Sequence, residues 1–270
     1  MGRRAAAALL SLECSGELRA IAELAARAAG ELLRERFAAG GERATASKST
    51  ATDPVSEADL AAERAIRDVI STARPGDAIL GEEGGETQEG SGLRWIVDPL
   101  DGTVNFLFGI PQWCVSVAVH DDDGGLAGVV FDPLREELFV GERGGGPPTL
   151  NGVEVRGSQR AELDSALIAT GFAYDAAVRE VQAQVLTRLL PRVRDMRRMG
   201  SAALDLAWTA AGRYDAFYER GVHIWDTAAG TVLCSAAGLE VRPLDATEEA
   251  PAGIVVAPAG LLEGLTEIVA

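Results

Sequence analysis

Two aspartates, Asp98 and Asp101, lie three residues apart just after a short apolar run at residues 95–97. The run predicts a buried strand, and Pro99 predicts its end because proline has no backbone N–H to donate to a neighbouring strand. Close carboxylates repel each other unless a cation lies between them, and Mg²⁺ prefers such oxygen ligands. The Gly-Thr pair after Asp101 offers N–H groups at a predicted helix start, which suits a phosphate. The segment therefore indicates metal-assisted phosphoryl chemistry, the alternative being an Asp-Gly turn with Asp98 as a helix cap.

Two further segments bring acids to the ends of predicted elements. Glu82 and Glu83 follow an apolar strand, and Asp226 lies in the first turn of a helix built from small residues. Taken singly, the glutamates could be solvated loop acids and Asp226 a helix cap. Taken together, three carboxylate-bearing ends can converge at one edge of a sheet, which favours a common site.

Three motifs of the chain resemble the inositol monophosphatase family, within the lithium-sensitive, Mg²⁺-dependent phosphatase superfamily. They are Gly-Glu-Glu at residues 81–83, Asp-Pro-Leu-Asp-Gly-Thr-Val-Asn-Phe at 98–106 and Trp-Asp-Thr-Ala-Ala-Gly at 225–230. The resemblance extends from about residue 48 to residue 256. It implies a homodimeric Mg²⁺ enzyme that hydrolyses myo-inositol monophosphate to inositol and phosphate. It also implies a layered α/β/α/β/α sandwich in which both sheets contribute to the cleft.

The resemblance assigns a role to each matching residue. The implied ligands of a first Mg²⁺ are Glu82, Asp98 and the carbonyl of Leu100, and those of a second are Asp98, Asp101 and Asp226. The phosphate is expected on the N–H groups of Gly102 and Thr103. Glu82 and the pair of Thr103 with Asp59 are expected to orient the attacking water or accept its proton. From the residues alone, Asp59 could be only a first-turn acid of a helix.

The family also implies contacts for the alcohol part of the substrate. Gly200, Ser201 and Ala202, at the start of a helix, and Glu219 are expected to meet the inositol hydroxyls, with Asp101 and Asp226 at the border of the substrate. A carboxylate that accepts hydrogen bonds from a polyol is chemically sensible. From the residues alone, Ser201 is also a good helix N-cap, and Glu219 could be a surface acid at a strand end. His223 is predicted to lie on an apolar strand, in the core or just behind the site.

Lys48 is the only lysine among the 25 Lys and Arg residues of the chain. A compact ammonium beside carboxylates could orient acids or water where a planar guanidinium would not fit. The alternative is a surface lysine placed by chance. The family resemblance puts an active-site lysine at this position.

Composition limits the class of partner. The formal net charge of −16 argues against a nucleic-acid surface, and it means that a phosphorylated substrate would be repelled unless bound metal inverts the local field. The three cysteines are far apart and form no C-x-x-C motif, so we expect reduced thiols and a cytoplasmic location. The apolar run at residues 5–12 lacks the cleavage site of a signal peptide, and no run reaches the ~20 residues that span a bilayer.

The order of predicted elements gives the fold class. A helix beginning at Ser15 and a second at residues 56–74 precede an antiparallel meander over residues 113–156, and strands and helices alternate from residue 166. We therefore expect an α+β N-terminal half with the antiparallel sheet and metal motifs, residues 1–158, and a mixed α/β C-terminal half, residues 159–270. The two halves should pack into one catalytic unit.

Other substrates and other roles stay open at this level. Histidinol phosphate, fructose 1,6-bisphosphate or a 3′-phosphoadenosine nucleotide could use the same machinery. A bisphosphate or nucleotide should need cations at the pocket mouth, and residues 200–203 and Glu219 offer none, although the direction of Arg197 and Arg198 is unknown. Glu219 could equally receive the cation of histidinol phosphate. A regulatory binding protein is the reading from a different class.

Overall fold

The computed structural model describes residues 16–40, 57–87 and 91–270 in full, and only the backbone of residues 2–15, 46–47 and 54–55. Lys48, for which an active-site role is predicted, lies outside the described residues, as does the predicted helix start at Ser56. The helices of the described chain are α1 (Gly2–Ala38), α2 (Glu57–Ala73), α3 (Thr103–Leu107), α4 (Ala176–Leu189), α5 (Ala202–Ala210), α6 (Ile224–Ala236) and α7 (Ala259–Val269).

The strands form one two-stranded and two larger sheets. They are β1 (Ala46–Ser47), β2 (Pro54–Val55), β3 (Ala78–Gly81), β4 (Gly85–Glu86), β5 (Arg94–Asp101), β6 (Cys114–Asp121), β7 (Gly124–Asp132), β8 (Glu137–Glu142), β9 (Thr149–Leu150), β10 (Val153–Glu154), β11 (Leu167–Thr170), β12 (Asp195–Arg197), β13 (Ala216–Arg220), β14 (Glu240–Leu244) and β15 (Gly253–Ala257). The first larger sheet has the order β10-β9-β8-β7-β6-β5-β3-β4, and the second the order β12-β11-β13-β15-β14.

The first sheet is antiparallel except at one pair. β3 runs parallel to β5, because the chain between them first reverses into β4, which is antiparallel to β3, and then returns before β5 begins. β5 to β10 are antiparallel neighbours in the order of the chain. The second sheet is mixed, with β11 parallel to β12 and β13, and β15 antiparallel to β13. The short strands β4, β9 and β14 were not predicted, since each lies in a polar or proline-containing stretch.

Three apolar cores confirm the five layers. One lies between helices α1 and α2 and the first sheet, a second between the two sheets around α5 and α6, and a third between the second sheet and helices α4 and α7. The apolar run of β5 shows why both faces of that strand are buried: Trp95 and Val97 belong to the first core, and Ile96 to the second. The chain passes from the first sheet to the second between Glu154 and Leu167. A subdomain boundary at residue 158 stays a prediction.

Two predicted element ends are wrong. Helix α1 begins at Gly2, so Ser15 lies inside the helix and is not its N-cap. Strand β5 does not stop at Pro99 but runs on to Asp101. Its pairing with β6 is interrupted between Asp98 and Asp101, where the proline cannot donate, and resumes at Asp101 opposite Cys114. No helix of the described residues is long and apolar enough to cross a membrane.

Helix α6 presses its backbone directly on the first sheet. A Cβ added at Gly128 of β7 would lie 2.5 Å from the carbonyl oxygen of Ala229 and 2.9 Å from its Cα. Backbone atoms cannot turn away as a long side chain can. This close approach fixes the distance between the sheet and the helix whose first turn carries Asp226.

We predict that Gly128→Ala lowers the free energy of unfolding by about 1–3 kcal/mol, because the methyl group overpacks this contact. Urea unfolding of the purified protein measures the change. Gly16→Ala is the matched control, since a Cβ there meets nothing within 4 Å and alanine is the better helix former, so it should be neutral or stabilise by up to ~1 kcal/mol. Equal stability of Gly128→Ala and the natural protein would contradict the close approach.

Candidate active site

A cavity of about 460 Å³ opens where the two sheets meet. Its walls include nearly all residues that the sequence predicts for the site: Glu82, Asp98, Leu100, Asp101, Gly102, Thr103, Gly200, Ser201, Ala202, Glu219 and Asp226. Asp59 does not line the cavity but lies directly behind Thr103. Segments separated by more than 140 residues in the chain are therefore brought to one place.

The interruption of β5 shapes the centre of this cavity. Asp98 is buried, and its Oδ1 accepts a hydrogen bond from the Leu100 N–H at 3.0 Å. Gly102 follows with a φ of 100°, in the left-handed region that glycine adopts easily, and α3 begins at the next residue. A Cβ at Gly102 would also lie 2.9 Å from the Gln112 carbonyl oxygen. The predicted helix start after the two aspartates is thus confirmed, with glycine as its N-cap.

The predicted pair of Thr103 and Asp59 is present in the structure. The Thr103 hydroxyl lies 3.1 Å from Asp59 Oδ1 and 3.0 Å from the Leu100 carbonyl oxygen, and it has one proton to donate. Asp59 lies in the first turn of α2 and is completely buried. It is therefore more than a solvated first-turn acid, because it links α2 to the start of α3.

Asp101 connects the first sheet to the second half of the chain. Its Oδ2 accepts from the Ser201 hydroxyl at 2.6 Å and from the Ala203 N–H at 2.7 Å. Ser201 is the N-cap residue of α5, but its hydroxyl is used for Asp101 and not for the helix. Asn105 reinforces the same junction, since its side-chain amide donates to the Met199 carbonyl oxygen at 2.8 Å. The two halves are thus joined by polar contacts at the cavity itself.

Asp226 is held by the first turn of α6. Its Oδ2 accepts from the backbone N–H of His223 at 2.6 Å, so it is the third residue of the helix and not its cap. The prediction that His223 lies in the core or on a strand is wrong. His223 is exposed, precedes the helix, lines the cavity and stacks on Trp225 with ring centroids 4.8 Å apart.

The far end of the cavity holds an arginine that sequence reasoning left unassigned. Arg198 lines the cavity, and its guanidinium lies over the ring of Phe172 at 5.7 Å. Arg197 instead pairs with Asp195 at 2.7 Å on the exposed side of β12. Neighbouring residues of an extended chain point to opposite sides, so the sequence could have predicted opposite directions for the two arginines. It could not have predicted which of them faces the cavity.

Comparisons with known proteins identify the family of this chain. A model of the inositol monophosphatase family matches residues 15–269. The chain belongs to the inositol monophosphatase family. It is similar to inositol-1-monophosphatase of Mycobacterium leprae (strain TN), with 42% identity over 267 residues that cover 92% of each chain. It is also similar to a protein named Nus factor SuhB of Escherichia coli (strain K12), with 41% identity over 220 residues, 81% of this chain and 82% of that one.

The fold agrees with a solved structure of the same family. The extragenic suppressor protein suhB of Bartonella henselae matches with a TM-score of 0.86 and 35% identity, covering 93% of this chain and 98% of that one. The layered α/β architecture expected from the sequence is therefore confirmed. The family and its named relatives make this chain a phosphatase, an enzyme that acts on a small phosphorylated substrate.

Family members are in general metal-dependent, and the donors in the cavity fit a divalent cation. Burial and then the neighbouring carboxylates of Glu82, Asp101 and Asp226 raise the pKa of Asp98 well above its usual range. Burial also raises the pKa of Asp101 and of Asp226. Like charges forced together in this way favour a cation between them. Among the described residues, however, no three His, Cys, Asp or Glu side chains already form a closed metal cluster.

Glu219 lies in a different environment at the far end. Its carboxylate packs so closely on Gly171 that any Cβ there would overlap it. Burial, followed by the charge of Asp101, raises the pKa of Glu219 to about 8, while Arg198 opposes the shift. Asp205 is buried on α5, and its Oδ1 has no hydrogen-bond partner among the residues that the structure describes. Burial and the charge of Glu219 raise its pKa as well. Glu219 is therefore no surface acid, and burial favours its neutral form in the metal-free protein.

We predict that Glu219→Gln changes how stability depends on pH in the metal-free protein. The folded chain holds a proton on Glu219 up to about pH 8, while the unfolded chain loses it near pH 4.3, so this residue lowers the free energy of unfolding as pH rises between those values. The stability difference, variant minus natural protein, should therefore grow by roughly 1 kcal/mol per pH unit from pH 5 to 8. Urea unfolding across that range measures it, with exposed Glu240→Gln as the control whose difference stays constant. A constant difference for Glu219→Gln as well would contradict the raised pKa.

Proposed function

We propose that this phosphatase hydrolyses myo-inositol monophosphate to inositol and phosphate with the help of Mg²⁺. The observation that carries the proposal is the convergence of Glu82, Asp98, Asp101 and Asp226 beside the start of α3, in one cavity with a polar far end. The relative from Mycobacterium leprae bears the name inositol-1-monophosphatase, which supports the substrate class.

The proposed Mg²⁺ ligands are the residues that the family resemblance supplies. They are Glu82, Asp98, the carbonyl of Leu100, Asp101 and Asp226. Hard oxygen donors of this kind suit Mg²⁺ better than softer metals. When bound, such ions lower the pKa of water and offset the negative charge of the phosphoryl oxygens.

Thr103 and Asp59 are proposed to orient water and accept its proton. The Thr103 hydroxyl is directed at Asp59 and Leu100, so its lone pairs are available to accept a hydrogen bond from a water in the cavity. Asp59 is buried behind it and can receive the threonine proton as the threonine accepts one from water. Glu82 is the second candidate for this role. The N–H groups of Gly102 and Thr103 are proposed to bind phosphate.

The far end of the cavity is proposed to bind the alcohol. Gly200, Ser201 and Ala202 line it beside Glu219, and a protonated Glu219 can both donate to and accept from a hydroxyl. Ser201 already donates to Asp101, so its oxygen keeps lone pairs that can accept from a polyol. A neutral polyol ring meets hydrogen-bonding groups of both kinds here.

Arg198 favours a second candidate substrate, a sugar bisphosphate such as fructose 1,6-bisphosphate. A second phosphate group needs a cation, and the sequence left the direction of Arg198 open; in the structure Arg198 lines the cavity. A guanidinium binds phosphate oxygens well. Both substrates therefore belong in the first assay.

Three further expectations stay predictions: the homodimer and the lithium sensitivity that the family resemblance implies, and the cytoplasmic location inferred from the cysteines. A binding role is a further outcome to test, since one relative is named Nus factor SuhB. Such a role would survive loss of Asp98, whereas catalysis would not.

The first experiment measures phosphate release from myo-inositol 1-phosphate, with and without Mg²⁺. Histidinol phosphate and fructose 1,6-bisphosphate run in parallel. We expect Mg²⁺-dependent hydrolysis of the inositol ester, and Asp98→Asn should lower kcat at least ~100-fold, because it removes a charged donor shared by both proposed ions. Circular dichroism should show Asp98→Asn folded, since the amide relieves repulsion among buried acids.

Each other outcome has a clear meaning. Full turnover by Asp98→Asn would sink the two-metal assignment. Hydrolysis of histidinol phosphate alone would keep the mechanism and reassign the substrate. Hydrolysis of no ester would leave the binding role as the reading to pursue.

We predict that Arg198→Met lowers the preference for a bisphosphate. The ratio of kcat/KM for fructose 1,6-bisphosphate to kcat/KM for myo-inositol 1-phosphate should fall about 10-fold, the equivalent of ~1.4 kcal/mol. Arg197→Met is the matched control, because Arg197 pairs with Asp195 outside the cavity and should leave the ratio unchanged. An unchanged ratio in both variants would remove Arg198 from substrate selection.

A further inference from the structure

One face of α2 carries three polar residues at successive turns: Asp59, Glu63 and Arg67. Asp59 contacts Thr103, as described above. Glu63 lies one turn later and is 3% exposed, and Arg67 lies one turn after that with a partly buried side chain. A buried acid and a part-buried arginine on a helix that otherwise packs on apolar residues call for an explanation beyond packing.

Glu63 binds the backbone of the turn that follows Glu82. Its Oε2 accepts from the Glu83 N–H at 2.8 Å, and its Oε1 accepts from the Gly84 N–H at 2.9 Å. Arg67 completes the arrangement, because its Nε donates to Glu63 Oε1 at 2.7 Å and its Nη2 donates to the Gly85 carbonyl oxygen at 2.6 Å. Two side chains of α2 thus hold three consecutive residues of this turn.

The glycines of the Gly-Glu-Glu-Gly stretch fit this contact. A Cβ at Gly81 would overlap the Glu63 carboxylate, and one at Gly84 would lie 2.6 Å from Glu63 Oε1. Both positions must lack a side chain for the carboxylate to reach the turn. The two glycines therefore make room for the Glu63 carboxylate, in addition to any role in the turn itself.

Different contacts hold the two parts of this stretch: Glu86 pairs with Arg94 at 2.7 Å and the Thr87 N–H donates to the Ile79 carbonyl oxygen at 3.0 Å, whereas Glu63 and Arg67 reach residues 83–85. Residues 84–87 are exposed, and β4 pairs with β3 over only two residues. Ile79 belongs to the first core and Leu80 packs against the second, but residues 81–87 have no apolar side chain. Among the described contacts, three hydrogen bonds from Glu63 and Arg67 hold residues 83–85, directly after Glu82, and a fourth joins the two side chains to each other.

We propose that Glu63 and Arg67 are positioning residues, which hold the residue 83–85 turn so that Glu82 stands in the cavity before any metal binds. The proposal rests on the proposed function, in which Glu82 is a metal ligand. Neither residue lines the cavity, so they act through the turn and not on the substrate. Arg67 also offsets the charge of Glu63, so the negative potential in the cavity comes mainly from the proposed ligand carboxylates.

The proposal predicts a weaker metal site with little change in the chemical step. In Glu63→Gln, the side-chain amide can accept from only one of the two N–H groups and sets its own NH₂ against the other. We expect the Kd for Mg²⁺, measured by calorimetry without substrate, to rise at least ~10-fold. The kcat at saturating Mg²⁺ should fall less than ~3-fold, since bound metal restores the position of Glu82.

Hydrogen exchange of the metal-free protein tests the positioning without any activity. The amides of Glu83 and Gly84 should exchange at least ~10-fold faster in Glu63→Gln, while amides of β6 and β7 keep their rates. Arg67→Gln should change both readouts in the same direction by a smaller factor, because Glu63 keeps its contacts to the turn. Arg64→Gln, an exposed charge removal on the same helix, should change neither.

The outcomes separate this proposal from the proposed function. Unchanged exchange at Glu83 and Gly84 in Glu63→Gln would overturn the positioning role, as would an unchanged Kd for Mg²⁺. If the natural protein binds no Mg²⁺ and hydrolyses no ester, the proposed function fails, and the exchange rates still decide whether Glu63 holds the turn. If Glu63→Gln does not fold, Arg67→Gln decides: unchanged exchange and Kd in that variant would equally overturn the proposal.

Discussion

The repulsion between buried carboxylates is the constraint on which the rest of this structure depends. Asp98, Asp101 and Asp226 all have raised pKa values because burial and mutual charge disfavour their ionised forms. In an unfolded chain, repulsion would move these carboxylates apart. Here they are held by a strand whose register breaks at a proline, by a helix pressed backbone to backbone on the sheet, and by hydrogen bonds to one oxygen of each carboxylate.

Buried polar side chains hold the segments that carry these carboxylates. Asp59, Glu63 and Ser201 are all almost completely buried, and the described hydrogen bonds of each include one to a segment that carries a proposed ligand. Each is satisfied, so burial carries no penalty of an unmade hydrogen bond. By contrast, Asp205 Oδ1 has no hydrogen-bond partner among the described residues, and burial followed by the charge of Glu219 raises the pKa of Asp205.

The sequence predicted which residues gather at the centre of the cavity, for a physical reason. Asp98, Asp101 and Thr103 lie within six residues, so local geometry nearly determines their relation. The residues only allowed Asp226 to converge with these acids. The family resemblance supplied its ligand role and the place of Glu219, because contacts between remote segments leave no periodic trace in one sequence. The environment of Glu219, the inward direction of Arg198 and the role of Glu63 were out of reach for the same reason. The strand ends were misjudged at Pro99, where one lost hydrogen bond bends a strand without ending it.

The hydrogen bonds between Asp101 and the start of α5 have a consequence for how the chain folds. Asp101 is 100 residues from Ser201 and 102 residues from Ala203, which donate to it. Closing so long a loop is slow compared with forming hairpins such as those of the first sheet. A growing chain therefore carries its most diagnostic motif for much of its synthesis with the two acids facing water, and the cavity closes only when Asp226 has emerged. A fragment that contains the motif but lacks residues 201–226 therefore lacks the partners of Asp101 and one wall of the cavity.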